Sequence, residues 1–213
     1  MKNLFTIFVS PTETFQRVRE KSKTAWIFPL ILLMVVSTVA IYLQLPAMEQ
    51  ATMDALKKQG LVDPSNIDSI VASTNVVSIV TTPLSIVAMI FVGALLYVLL
   101  NLIVRGEAKY MQLVTMMSYA ALPGMLGSLL AGIMVYATEA KAVTDVSISL
   151  AALVSDKTSM LYYVLTLSNP FAIWGLVLYV IGASVMMKRP RKTVGMWIVG
   201  TWLVFSLGSL LFV

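Results

Sequence analysis

Apolar residues fall along this chain in long blocks separated by short polar stretches. A polar segment, SPTETFQRVREKSK, is followed at once by WIFPLILLMVVSTVAIYL, and four more apolar runs follow. The runs cover about residues 25–45, 76–104, 111–136, 161–187 and 193–213. Each reaches roughly the 20 residues that a helix needs to cross the hydrocarbon core of a bilayer. None shows the inside/outside alternation of a barrel strand, and in lipid the backbone must then be satisfied within helices. The pattern predicts an all-α polytopic membrane protein, a single domain over residues 1–213 built as a bundle of five transmembrane helices. The segments between the runs are too short to bury a core of their own.

Prolines punctuate the pattern. Ser10-Pro11, Asp63-Pro64, Thr82-Pro83 and Asn169-Pro170 each place a capping residue before a proline suited to the first helical position. This reading allows the second span to begin at Pro83 and the fourth at Pro170. NVVSIV and LYYVLTLS are then interfacial segments or bent extensions. Pro46 is expected to close the first span, with MEQATMDALKKQ as a short separate helix stopped at Gly60 and a second one starting at Asp63-Pro64. Pro123 differs, because it lies in the middle of the third span and is expected to kink it. Around it Ala120, Gly124, Ser128 and Gly132 recur every four residues on one helix face. Small residues at that spacing admit a close helix neighbour, either within the chain or in a homo-oligomer.

Composition narrows the chemistry. The chain is 59% hydrophobic and 12% charged, against about 25% charged residues in soluble domains. It has no cysteine and no histidine, and the five runs carry no Asp, Glu, Lys or Arg in their interiors. Ionisable groups inside the membrane are the usual marks of ion and proton pathways, so coupled transport is disfavoured. Thiol nucleophiles and most zinc sites cannot be assembled, and no Gly-rich phosphate loop is present. The expectation is a protein that is not an enzyme, with no cofactor, no metal and no nucleic-acid partner. Asn101, Gln44 and Asn169 lie near span ends, where water or headgroups are expected to satisfy them. The fourteen methionines read as apolar filler, with an adaptable groove as the rarer alternative.

Charge then sets orientation. Segments before the first span, between spans two and three, and between spans four and five carry eleven of the fifteen basic residues and three of the ten acids. The positive-inside rule places this side, with the N-terminus, in the cytoplasm and the C-terminus outside a cell membrane crossed several times. In the N-terminal segment, Ser10, Pro11 and Glu13 are spaced as N-cap, N1 and the N3 member of a capping box. Phe15 and Val18 share a face, and Arg17, Arg19, Lys21 and Lys23 favour an anionic leaflet. Residues 1–24 therefore read as an interfacial amphipathic helix, with docking on the bundle's own cytoplasmic end as an equal alternative.

Several of these stretches line up. SPTETFQRV stands just before the first of five spans, the short loop RGEAKYMQ joins spans two and three, and span three carries SYAALP. In this order the chain resembles the Yip1 family, in particular its small bacterial members with a short N-terminal region. The resemblance implies a five-span bundle with a cytoplasmic N-terminus. It matches Tyr119 and Pro123 to the family's span-three feature, and Gly106 and Gln112 to the loop before it. It implies no catalytic role. Eukaryotic members act in vesicle trafficking with Rab-type GTPases, and this chain lacks their long N-terminal region. Some bacterial members act beside ABC-type exporters in resistance to antimicrobial peptides. The expectation is a non-enzymatic membrane scaffold or accessory protein that assists a transporter or an envelope stress response, with the lipid bilayer and a membrane-protein partner as its contacts. The alternatives are an uncoupled channel or facilitator for small solutes, and a membrane-shaping or trafficking protein.

Overall fold

The computed structural model describes residues 2–60 and 63–210, and every regular element among them is helical. The α-helices are α1 (Lys2–Val9), α2 (Pro11–Glu20), α3 (Ile27–Gln59), α4 (Ile67–Ile103), α5 (Tyr110–Ala120), α6 (Leu122–Ala137), α7 (Met160–Thr166), α8 (Pro170–Met187) and α9 (Arg191–Ser209). Among the described residues, four segments are long and apolar enough to cross a membrane: Ile27–Lys58, Ile67–Ile103, Tyr110–Ala137 and Pro170–Met187. The fifth expected span corresponds to α9, and its last residues, 211–213, lie outside the described ones.

Helices α3 and α4 are longer than expected. At about 1.5 Å per residue they extend ~50 and ~55 Å, well beyond a hydrocarbon core of roughly 30 Å. The separate helices expected after Pro46 and after Asp63-Pro64 are instead continuations of these two rods, and α4 does not begin at Pro83. The proline break is overridden by two local effects. The hydroxyls of Thr81 and Thr82 donate to the carbonyls of Val77 and Ser78 across the turn that Pro83 disturbs, a compensation typical of membrane helices. The two rods also pack along each other, and Asn75 donates to Glu49 between them. Gly60 ends α3 as expected, with φ +64° and its N–H on the Leu56 carbonyl at 3.3 Å.

The third span is broken where proline chemistry predicts. Helix α5 ends at Ala120 and α6 begins at Leu122, with Pro123, which has no N–H to offer the turn behind it, in the first turn of α6. The fourth span begins at Pro170. Asn169 Oδ1 accepts from the amides of Phe171 and Ala172 at 2.9 and 3.3 Å, and LYYVLTLS belongs largely to the separate short helix α7. Asn101, Gln44 and Asn169 are thus satisfied by protein partners, whereas water or headgroups were expected. Gln44 donates to the Ala40 carbonyl at 2.9 Å, and Asn101 pairs with Ala108. Gln44 is enclosed because α3 runs on past it, whereas Asn101 and Asn169 stay at helix ends and bond the backbone of the adjoining loop and the first turn of α8.

Helix α3 packs along α4 and α6, while α8 takes α2, α5, α6 and α9. Ile90, Leu113, Met116, Leu178, Met186 and Met187 fill the centre with essentially no exposure. The outward faces stay apolar: Val35, Val92, Leu99, Trp174 and Val204 are all exposed. In water such a surface would be an extended association-prone patch, whereas lipid is its natural solvent.

Candidate functional interface at the basic end of the bundle

The N-terminal helices are built into the bundle. Helix α1 runs to Val9, so the Ser10 N–H is already taken by the Thr6 carbonyl at 2.7 Å. The expected capping box of Ser10 and Glu13 therefore does not form. Ser10 still separates the helices and Pro11 opens α2, but the Ser10 side chain makes no cap bond and Glu13 is exposed. Thr6 instead ties the pair together. Thr14 Oγ1 donates to its hydroxyl at 2.8 Å, and the Arg17 guanidinium reaches both threonines at 3.3 Å.

The apolar face expected to rest on a leaflet is turned inward. Phe15, Val18 and Ile7 are fully buried or nearly so. The Phe15 ring fills the space over Gly182 of α8, where a Cβ would stand 2.8 Å from Phe15 Cζ and 2.7 Å from Met116 Cγ. Of the two readings of this segment, docking on the bundle is the one its packing follows. At the elbow, Phe8, Val9 and Pro11 border an apolar groove of about 530 Å³ against Ile173, Trp174 and Val177 of the α8 span. Phe5 and Val9 remain open on the outer side.

Three chain segments are sewn together at this end. Gln112 Oε1 accepts the Lys109 amide at 2.9 Å, capping α5, and its Nε2 donates to the Arg19 carbonyl at 3.5 Å. Buried Thr115 donates to the carbonyls of Ser22 and Met111 at 3.1 and 2.8 Å. Asn101 clamps the loop after α4: its Oδ1 accepts from the Ala108 amide at 3.1 Å and its Nδ2 donates to the Ala108 carbonyl at 3.3 Å. Gly106 lies against this side chain so closely that a Cβ would collide with Asn101 Oδ1 and stand 2.8 Å from Met187 Cβ. The Arg189 guanidinium donates to the Arg105 carbonyl, and Arg191 reaches the Thr12 hydroxyl at 2.6 Å. Glu107 pairs with Lys188 at 2.7 Å, and that hydrogen bond holds its carboxyl below the usual carboxylate range.

Of the residues singled out in the sequence, Phe15, Arg19, Gly106 and Gln112 thus converge on the ends of α4, α5 and α8. Ser10, Pro11 and Glu13 stay at the elbow, and Arg17 serves the α1–α2 contact. The small-residue face of the third span divides. Ala120 is buried, and Gly132 packs on α3, with its Cβ position 2.7 Å from the Ala40 carbonyl. Gly124 and Ser128, with Ala120 beside them, line a cavity of about 280 Å³ with Leu33, Phe171, Gly175 and Tyr179. Tyr119 and Pro123 are buried beside the break. A second cavity of about 510 Å³ shares Gly124, Ser128, Phe171 and Ala172 and opens among Thr144, Ser147 and Tyr162.

The sequence reading missed Thr115, Gly182 and the Arg189–Arg105 bond. Only Gly182 left a signal: it follows Gly175 by seven residues, on the same face of an otherwise bulky apolar helix. The arrangement is a hydrogen-bonded, basic surface.

No curated protein and no solved structure matches the chain. A family model described as the Yip1 domain matches residues 5–213. That match takes in most of α1, all of α2, the clamped loop, the broken third span and α9, and the chain belongs to the Yip1 domain family.

Proposed function

We infer that the chain is a non-enzymatic scaffold or accessory protein of a cell membrane, with its N-terminus cytoplasmic and its C-terminus extracytoplasmic. It docks another membrane protein, of which an ABC-type exporter is the favoured class, and so serves export, envelope stress or resistance to antimicrobial peptides. The observation that carries this reading is the sewn basic end. Bonds that tie the α2 segment to α5 and to Arg191 of α9, and the turn after α8 to the loop after α4, fix a surface in advance, which lowers the ordering cost of binding. The charge asymmetry and the family's bacterial members support the orientation and the partner class. A photo-crosslinking residue at Phe5 or Glu13 tests it: a discrete membrane-protein adduct in cells is expected, retained on purification in mild detergent. A chain that stays alone at every position overturns the reading. The lack of native cysteine makes orientation directly measurable. An impermeant maleimide added to intact cells should label Lys157→Cys and spare Lys23→Cys.

A second reading, an uncoupled facilitator for small solutes, is favoured by the two adjoining cavities along α6. Flux through proteoliposomes that is lost in Gly124→Phe supports it, and no flux removes it.

A further inference from the structure

Helix α9 packs on α8, α4 meets α8 through the Tyr97–Tyr179 stack, and a slot of about 550 Å³ lies between α4 and α9. Its floor is the stacked pair Tyr97–Tyr179, with ring centroids 5.9 Å apart and planes at 17°. Its walls are Leu99, Leu100 and Ile103 on α4, and Trp197, Trp202 and Phe205 on α9. Large side chains dominate these walls. Helices that associate in a membrane approach through small residues, so this slot does not suit a partner helix or the matching face of a second copy. It suits a flexible chain: from Trp197 to Phe205 it runs roughly 12 Å along α9.

The basic end of the slot adds charge. Ile103 is the last residue of α4, and Arg105 follows two residues later in a left-handed conformation, φ +53°. That strained geometry is held by the Gly106 amide on the Asn101 carbonyl at 2.7 Å and by the Arg189 guanidinium on the Arg105 carbonyl. The Arg105 side chain is exposed, and among the described residues neither Arg105 nor Arg189 forms an ion pair; Glu107 nearby is bonded to Lys188. One guanidinium held on the backbone of a second, exposed arginine concentrates positive charge at this end of the slot, which suits a phosphate oxygen.

We propose that the slot between α4 and α9 retains one anionic phospholipid, an acyl chain along the Tyr97–Tyr179 floor and its phosphate at Arg105 and Arg189. The lipid completes the seat of α9, which otherwise meets the bundle mainly through Val194 and Ile198.

Native mass spectrometry of the purified full chain, titrated with phosphatidylglycerol or phosphatidylcholine, tests this. The expected result is one tightly held phosphatidylglycerol per chain, preferred at least tenfold over phosphatidylcholine. Arg105→Gln should abolish the preference while leaving weak binding of both lipids. Thr201→Trp, which fills the slot from α9, should remove the adduct altogether while the thermal transition in detergent persists. Equal binding of the two lipids by the unaltered chain overturns the proposal. So does an adduct unchanged in Thr201→Trp, or a dimer that Thr201→Trp dissociates, which would assign the slot to a second copy.

Discussion

The Phe15 ring lies on Gly182 at a separation that leaves no room for a methyl group, a Cβ there falling 2.8 Å from Phe15 Cζ. Helix α2 is therefore held by shape as well as by Gln112 and Thr115. Gly182→Ala would normally favour a helix by up to about 1 kcal/mol. Here it must displace the ring, and a net loss of about 1–3 kcal/mol is expected. Phe15→Ala should cost about 3–5 kcal/mol as a large core truncation. The double variant should cost clearly less than the two single losses combined, because both remove the same contact. Reversible unfolding in detergent measures the cycle, and additive losses would show that the ring and the glycine do not interact.

Gly106 and Asn101 form a second interlocked pair. Asn101→Leu leaves the amide and carbonyl of Ala108 without their partner, which costs about 1–3 kcal/mol. Gly106→Ala drives a methyl into Asn101 Oδ1 and should cost at least as much. In an Asn101→Ala background the clash with Oδ1 is gone and the approach to Met187 Cβ remains, so the added cost of Gly106→Ala should fall without vanishing. Thermal denaturation of the four variants reads the difference. An undiminished cost would place the obstruction at Met187 instead.

These two pairs show what the sequence carried and what it withheld. The apolar blocks, the Gly60 stop, the Asn169-Pro170 start and the break near Pro123 were legible because each depends on neighbours within one turn. The capping box at Ser10 was misread because α1, one residue upstream, had already taken the N–H it needed. The inward turn of Phe15 was open in the sequence because a two-residue apolar face suits a leaflet and a bundle equally. Gly182, 167 positions away, together with Gln112 and Thr115, decides between them. The continuity of α3 and α4 through Pro46 and Pro83 was hidden for a similar reason. Packing between two rods outweighs a local preference that either rod alone would obey.

Glu107 and Lys188 give the basic end a response to acid. The Glu107 carboxyl is held below its usual range by the Lys188 hydrogen bond. Its stabilising effect is therefore fully present above the ordinary carboxylate value of about 4.3 and fades as pH falls through the lowered one. Because both side chains are exposed, the effect is small and weakened by salt. The melting temperature of the native chain is expected to drop between about pH 5 and pH 3. Lys188→Met should drop less over the same window at low ionic strength, and the two curves should converge in high salt. Asp145, held low by Lys157 in the segment between α6 and α7, contributes equally to both chains and cancels in the comparison.

Proline replacements at two positions should act in opposite directions. Pro83 lies inside α4, which continues unbroken on either side, so an alanine there supplies an amide that meets the Ile79 carbonyl one turn back. A proline in a helix interior costs about 3 kcal/mol. Thr81 and Thr82 relieve part of that, so Pro83→Ala should raise stability by about 1–2 kcal/mol without altering the fold. Pro123 sits where the third span bends, and the packing has adapted to the bend: Leu122, Pro123 and Met125 are buried, and Gly124 is turned toward the cavity it shares with Gly175 and Tyr179. Pro123→Ala also gains a helix-forming residue, but straightening α5 into α6 would pull those side chains out of register with α3 and α8. Pro123→Ala should lower stability, and the cavity between Ser128 and Phe171 should change its accessibility to a small thiol reagent at Ser128→Cys. If both alanine variants are stabilised alike, the bend is a consequence of proline alone and the surrounding helices do not require it.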